Sequence, residues 1–345
     1  MTQKNDKILA VPTNIITGFL GVGKTSAIMH LLKEKPSHER WAILVNEFGE
    51  IGVDGSLFQG SSATNQQVFI KEVPGGCMCC ASGLPMQIAL NLLLAEAKPD
   101  RLLIEPTGLG HPVEVLQLLS NNYYSEILDL QKTVTLVDAR NLADRRYTEH
   151  ATFNQQIAIA DIVVGNKVDL YSDVHQQALA SYISNQQIQG RPAQQLLFAE
   201  HGKIELSWLS GKTEHVPDVH HHHHHEQASA APIVAEQPMP TSGYLKAANQ
   251  GEGFSSVGWR FAPDKVFDRA KLVALLTSIS AERIKAVFIT SDGIFGYNST
   301  RDGLTEAMLD ECLESRIEII CDEDKVKESA WEQALKQAVI NEARL

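Results

Sequence analysis

The sequence predicts an α/β protein with a mostly parallel sheet, followed by a smaller C-terminal α+β domain. Three observations carry that expectation. Between residues 13 and 200, short β-branched runs alternate with longer helical patterns, the signature of helices layered on a mostly parallel sheet. The first run leads straight into a glycine-rich turn that opens a helix. From about Lys212 to Gln250 the composition shifts to His, Pro, Ala, Ser and Gln, periodicity is lost, and a second set of short elements follows.

In chain order, the apolar runs predict strands at Asn14–Thr17, Trp41–Asn46, Val68–Val73, Leu102–Glu105, Thr133–Asp138, Asp161–Asn166 and Gln195–Phe198. Between several of them lie helix-length segments, among them Thr25–Lys35, Leu84–Ala97 and Pro112–Leu119. After the linker the pattern predicts a strand at Phe254–Phe261 and a helix at Lys265–Ser278. A hairpin follows, Ile284–Thr290 and Ile294–Asn298 around Asp292-Gly293, then a strand at Arg316–Cys321 and a closing helix at Lys325–Ala343. The expected division is therefore a nucleotide-binding domain over 1–212, a His-rich flexible linker over 213–250 and an α+β domain over 251–345. A chain of 345 residues suits that division, at ~150 residues per domain.

Composition removes several classes of function. With 30 Lys+Arg against 42 Asp+Glu the net charge is −12, which argues against sequence-general nucleic-acid binding. No apolar run reaches the ~18 residues of a membrane span, so no membrane partner is expected. The stretch Met1–Lys7 is polar and lacks the apolar core of a signal peptide. Five cysteines, an odd number without a secretion signal, point to a reduced, cytoplasmic setting rather than a disulfide framework.

Gly18-Phe19-Leu20-Gly21-Val22-Gly23-Lys24-Thr25 is a full G-x-x-x-x-G-K-[ST] match, directly after a strand and ahead of a helix. Its glycines let backbone N–H groups curl around phosphates, and the helix N-terminus adds a favourable dipole. The expected cofactor contacts are Gly18, Gly21, Val22, Gly23, Lys24, Thr25 and Ser26, with Lys24 on the β- and γ-phosphates and the Thr25 hydroxyl on Mg²⁺. Asn166-Lys167-Val168-Asp169 closes a later strand, and N-K-x-D there is the guanine-reading sequence. A carboxylate such as Asp169 accepts from guanine's N1–H and exocyclic amine together, a donor pair adenine lacks, which favours GTP over ATP. Ala199-Glu200-His201-Gly202 follows the next strand as the candidate loop against the base. Glu105-Pro106-Thr107-Gly108 ends the fourth strand, placing an acid for Mg²⁺ and the Gly108 N–H for the γ-phosphate. Leu109 stands where small GTPases carry a water-orienting Gln, so slow intrinsic hydrolysis is expected.

Three of the cysteines, Cys77, Cys79 and Cys80, fall within four positions after the strand ending at Val73. In an extended stretch Cys77 and Cys79 share one side, which makes them the favoured ligand pair, with Cys80 joining if the chain turns. Zinc wants four ligands, so three thiols leave a position for water, a carboxylate such as Glu47, a histidine or a client protein. A redox pair and inert burial are the competing readings. The run His220–His225 suits loose collection of divalent metal, or serves as a polar linker or an added tag. Cys312 and Cys321 stand alone and are expected to pack as small hydrophobes.

With these residues in place the chain resembles the CobW-type family of P-loop GTPases, and its YeiR-like zinc-binding branch in particular. The resemblance rests on Gly18–Thr25, Asn46-Glu47-Phe48-Gly49, Gly76-Cys77-Met78-Cys79-Cys80, Glu105-Pro106-Thr107-Gly108, Asn166–Asp169, the His-rich connector and Ser255-Ser256-Val257-Gly258-Trp259. It implies a P-loop GTPase domain and a metallochaperone that couples GTP hydrolysis to metal transfer, with Mg²⁺ on the nucleotide and Zn²⁺ as cargo for a client protein. It further implies that Asn46–Gly49 is a switch near both metals. A zinc buffer or sensor, and cobalt or nickel as cargo, are the alternatives the residues leave open. The client protein is not legible in the sequence, nor is the oligomeric state, a homo-oligomer being one arrangement it admits.

Overall fold

The computed structural model describes residues 8–46, 67–73, 84–110, 112–186, 193–214, 238–251, 253–309 and 312–340. These fall into two compact units, the first holding 8–46, 67–71 and 84–214 and the second 72–73 and 238–340.

The first unit is built on one eight-stranded sheet. Its elements are β1 (Val11–Gly18), α1 (Lys24–Glu34), β2 (Trp41–Asn46), β3 (Val68–Val73), α2 (Leu84–Ala97), β4 (Arg101–Glu105), α3 (Pro112–Leu119), β5 (Leu128–Leu130) and β6 (Val134–Val137). They continue with α4 (Arg145–Thr148), α5 (Ala151–Ala158), β7 (Ile162–Asn166), α6 (Asp173–Gln186) and β8 (Gln195–Ala199). The strand order is β3-β2-β4-β1-β6-β7-β8, with β5 also paired to β1. β1 is the hub. Its first part pairs in parallel with β4, through Thr13↔Leu102 to Ile15↔Ile104, and its last part with β6, through Ile16↔Val134 to Gly18↔Leu136. A strand covered on both faces reads as a near-continuous apolar run, which is why Val11, Ile15 and Ile16 are all buried. α1 packs through Ala27, Ile28, Leu31 and Leu32, the spacing of one helical face.

The sequence-predicted bounds hold for β2, β3, α2 and α3 and fall within three residues for the other predicted strands of this sheet. β5 goes unforeseen because three residues, Leu-Asp-Leu, are too short to show a period. One buried polar residue ties the sheet to its surroundings. Asn14 is fully buried, and its Nδ2 donates to the Lys132 carbonyl at 2.9 Å and the Leu209 carbonyl at 2.7 Å. Its Oδ1 accepts from Arg101 Nη1 at 2.7 Å.

The second unit is a six-stranded antiparallel sheet in the order β13-β12-β11-β14-β10-β9. Its strands are β9 (Tyr244–Gly251), β10 (Phe254–Phe261), β11 (Arg283–Thr290), β12 (Gly293–Thr300), β13 (Gly303–Leu309) and β14 (Ser315–Asp322), with helices α7 (Arg269–Ser278) and α8 (Glu328–Ala338). Trp259, Phe267, Phe288, Ile317, Ile319 and Leu335 centre its core. The expected linker is too long at its C-terminal end. Residues 244–250 belong to β9, which pairs along its whole length with β10, and as an edge strand bearing Lys246, Asn249 and Gln250 it reads as polar linker. The closing helix is shorter than expected, running from Glu328 to Ala338, and α7 starts at Arg269 because the Asp268 carboxylate caps it by accepting from Lys271 N at 3.0 Å. Among the described residues, no helix is long and apolar enough to cross a membrane.

Replacing Asn14 by Leu strands the Lys132 and Leu209 carbonyls and the Arg101 guanidinium. Asn14→Leu is expected to lower unfolding stability by about 2–4 kcal/mol, read as a shifted midpoint in urea.

Candidate functional site

Every strand pair formed by β1 is parallel, so the ends of β1, β4 and β6 open on one rim, the place where open α/β sheets bind ligands. β7, parallel to β6, ends on the same rim. The P-loop leaves β1 at Gly18, whose φ is +141° and where a Cβ would sit 2.4 Å from the Leu136 carbonyl oxygen. No other residue fits there. Gly21 and Gly23 also take positive φ, 69° and 100°. Lys24 is buried, and its ammonium donates to the Gly18 carbonyl at 2.9 Å and the Phe19 carbonyl at 3.2 Å, crossing its own loop. Phe19 is held edge-on among Tyr147, His150 and Phe153, the aromatic support of the loop from α4 and α5.

Thr25 Oγ1 donates to Glu105 Oε1 at 3.0 Å. A hydroxyl and a buried carboxylate side by side are hard oxygen donors, the chemistry a Mg²⁺ ion requires. Past Glu105 the chain turns tightly through Thr107, Gly108 and Leu109, all buried. A Cβ on Gly108 would meet Leu20 N at 3.1 Å, so this turn lies directly against the P-loop backbone.

Asn166 joins the two nucleotide motifs. Its Nδ2 donates to the Val22 carbonyl at 2.8 Å, and its Oδ1 accepts from Gly202 N at 3.1 Å. Lys167 takes a left-handed φ of 66°, which turns the chain into a short 3₁₀ turn and leaves Asp169 exposed. The loop after β8 reaches α1, since a Cβ on Gly202 would lie 2.8 Å from Ala27 N; Ser26 is exposed beside it. The structure therefore gathers Gly18 to Thr25, Glu105, Gly108 and Asn166 around one rim.

Residues not anticipated also stand here. Asp138, 2% exposed, follows β6 and accepts from Arg140 Nε at 2.9 Å, with Lys167 Nζ 3.7 Å away. Tyr171 accepts from Ala139 N at 2.7 Å, and burial pushes its phenol well above the usual range. The signal in sequence was a lone charged residue closing an apolar strand, the same cue that drew attention to Glu105. Gln156, on α5, donates to the Gly108 carbonyl at 3.0 Å, and sequence offers no cue for that pairing.

Cys77, Cys79, Cys80, Glu47 and His220–His225 lie outside the described residues. Their flanks are described: β2 ends at Asn46, β3 at Val73, and α2 begins at Leu84. Among the described residues no group of three or more His, Cys, Asp or Glu stands together as a metal cluster. Cys321 is buried in the core of the second unit, which pushes its thiol up to about 11, and Cys312 is half-buried beside Ala247, Val287 and Leu309. Both pack as small hydrophobes.

The family model described as CobW/HypB/UreG, nucleotide-binding domain, matches residues 12–192. The chain is 39% identical to the zinc chaperone YeiR of Escherichia coli over 336 residues, covering 95% of this chain and 97% of that protein. It is 33% identical to the zinc chaperone YjiA of Escherichia coli over 46% of this chain and 50% of that one. A zinc-regulated GTPase metalloprotein activator of Schizosaccharomyces pombe is 31% identical over 47% of this chain and 40% of its own.

Asn166→Ala removes both tethers and leaves the Val22 carbonyl unpaired. It is expected to cost about 1–3 kcal/mol of stability and to speed hydrogen exchange at the Gly202 amide by about tenfold or more.

Proposed function

The chain belongs to the CobW/HypB/UreG family, and from that membership we propose that it is a GTP-hydrolysing zinc chaperone, passing zinc to a client protein. The observation that carries this reading is the joint geometry of the rim. The Thr25–Glu105 pair and the Gly108 turn stand beside the P-loop, and Asn166 fastens the guanine-reading motif to that same loop. Likeness to YeiR over nearly the whole chain supplies the metal and the task.

In this reading the Lys24 ammonium exchanges its loop carbonyls for phosphate oxygens, and the P-loop N–H groups hold the rest of the phosphate chain. Thr25 and Glu105 would hold Mg²⁺, which would neutralise developing phosphate charge when bound. Asp169, exposed in the middle of its turn, accepts the two guanine donors. Leu109 is fully buried and apolar, so it cannot orient water, and intrinsic hydrolysis is slow unless another group or a partner places the water. Zinc is cargo. By residue type, Cys77, Cys79 and Cys80, with Glu47 as a candidate fourth ligand, are donors suited to it. Such thiols must be kept reduced, as they are in a cytoplasm.

The test is zinc affinity of the full chain with a non-hydrolysable GTP analogue against GDP, alongside Cys77→Ala and Cys79→Ala. The expected result is at least about tenfold tighter zinc with the analogue, lost in either variant while nucleotide binding stays intact. Equal affinities in both nucleotide states would sink the coupling and leave a zinc buffer as the better reading. Asp169→Ala is expected to lower guanine preference over adenine by about 10–100-fold in competition binding, the worth of a bidentate base contact.

A further inference from the structure

The motif after β7 carries Asp169 on a turn of only three residues, Val168–Leu170. The Asp169 carboxylate is exposed, so where it points is set by the backbone that carries it. The turn opens at Lys167, held left-handed, and just before it Asn166 is tied to Val22 and Gly202. It closes at Tyr171, whose N–H donates to the Val168 carbonyl at 3.0 Å. A 3₁₀ turn this short has few hydrogen bonds of its own, so whatever fixes its two ends fixes Asp169.

One hydroxyl fixes the far end. Tyr171 Oη accepts from Ala139 N at 2.7 Å and donates to the Val137 carbonyl at 3.2 Å. Those two backbone groups flank Asp138, just past the last β6–β7 pairing, Val137↔Gly165. Ala139 opens a 3₁₀ helix, Ala139–Ala143, so its N–H has no acceptor within that helix, and the phenol supplies one. A protonated hydroxyl donates and accepts at once. Burial pushes this phenol well above its usual range, and the Asp138 and Asp169 charges add to the shift, so it stays protonated at neutral pH. His175 packs against the ring, centroids 5.6 Å apart, and is itself placed by accepting from Ser172 N at 2.8 Å. From the near end of the turn, Lys167 Nζ stands 3.7 Å from Asp138. Both ends of the turn therefore close on the same segment, residues 137–139.

We infer that Tyr171 is a positioning residue for base selection: its hydroxyl clamps the end of the 168–170 turn to Val137 and Ala139 and so aims the Asp169 carboxylate at the guanine edge. The inference rests on reading Asp169 as the guanine acceptor. Tyr171 touches no nucleotide in this scheme and acts through Asp169 alone. A carboxylate that must accept two donors together tolerates a misplacement of only about 0.5 Å, so a loosened turn loses base discrimination before it loses phosphate binding. Tyr171→Phe removes the hydroxyl and keeps the ring on His175.

The experiment measures affinities of the full chain for GDP and for ADP by competition, in wild type, Y171F, D169A and the double variant. Y171F is expected to lower the GDP-to-ADP affinity ratio about 2–10-fold, the worth of one hydrogen bond. A merely structural role would weaken both nucleotides alike, so a ratio changed less than twofold in folded Y171F overturns the inference. In the D169A background Y171F is expected to change the ratio less than twofold, and a larger loss there shows a route other than Asp169 and overturns it too. Should Y171F fail to fold, hydrogen exchange at the Ala139 amide of the wild type decides. Guanine held by Asp169 is expected to slow that exchange more with saturating GDP than with saturating ADP, and equal rates overturn the inference. Wild type with no preference for GDP over ADP overturns the guanine-reading role of Asp169 itself, a result separate from an unchanged ratio in Y171F of a guanine-preferring chain.

Discussion

The close approach of Gly18 to the Leu136 carbonyl is the constraint on which the rim depends. At 2.4 Å from a would-be Cβ, the end of β1 can pair with β6 only because nothing projects from residue 18. That pairing anchors one side of β1 while β4 anchors the other. Strands ~4.8 Å apart then deliver Glu105 to hydrogen-bonding distance of Thr25, the last residue of the P-loop. A side chain at residue 18 would push β6 away, and the register that sets Asp138 near Lys167 would be lost with it.

Buried polar side chains do the fastening. Asn14 joins β1 to Lys132, Leu209 and Arg101, and Asn166 joins the P-loop to the loop after β8. Each spans segments far apart in sequence, so each closes a long loop. An amide in an apolar sheet is expensive unless satisfied, at ~1–3 kcal/mol per unpaired group, and here satisfaction requires every joined segment to be in place. The rim is therefore held by interactions that fail together rather than one at a time.

Legibility in the sequence followed how local each feature is. Trp41–Asn46 and Leu84–Ala97 carry their own apolar signal, and their bounds were readable. The P-loop was readable because its glycines, lysine and threonine lie within eight positions after a strand. β9 was not, because an edge strand earns its place from one neighbour and can be polar on its free side. Gln156 was not, because nothing near it in sequence says that Gly108, 48 residues earlier, is its partner. Asp138 gave a partial cue, with Arg140 only two residues on, but Lys167 comes near it only through the β6–β7 register.

The same register bears on how a nucleotide could govern a metal in the proposed chaperone. β2 pairs with β4 so that Val45 lies opposite Glu105, and Asn46 is the next residue along. The acid assigned to Mg²⁺ and the strand that leads to Glu47 are thus hydrogen-bonded neighbours, with no intervening element to absorb a shift. From the other direction, the thiol segment is tethered at Val73 by β3, itself paired to β2. A change at Glu105 can therefore reach, through β2, the ends of both strands that precede the proposed zinc ligands. Only a difference in zinc affinity between the nucleotide states can turn that connection into transfer. The sheet supplies a physical route by which such a difference could arise, from Glu105 to Val45 and on to the ends of β2 and β3.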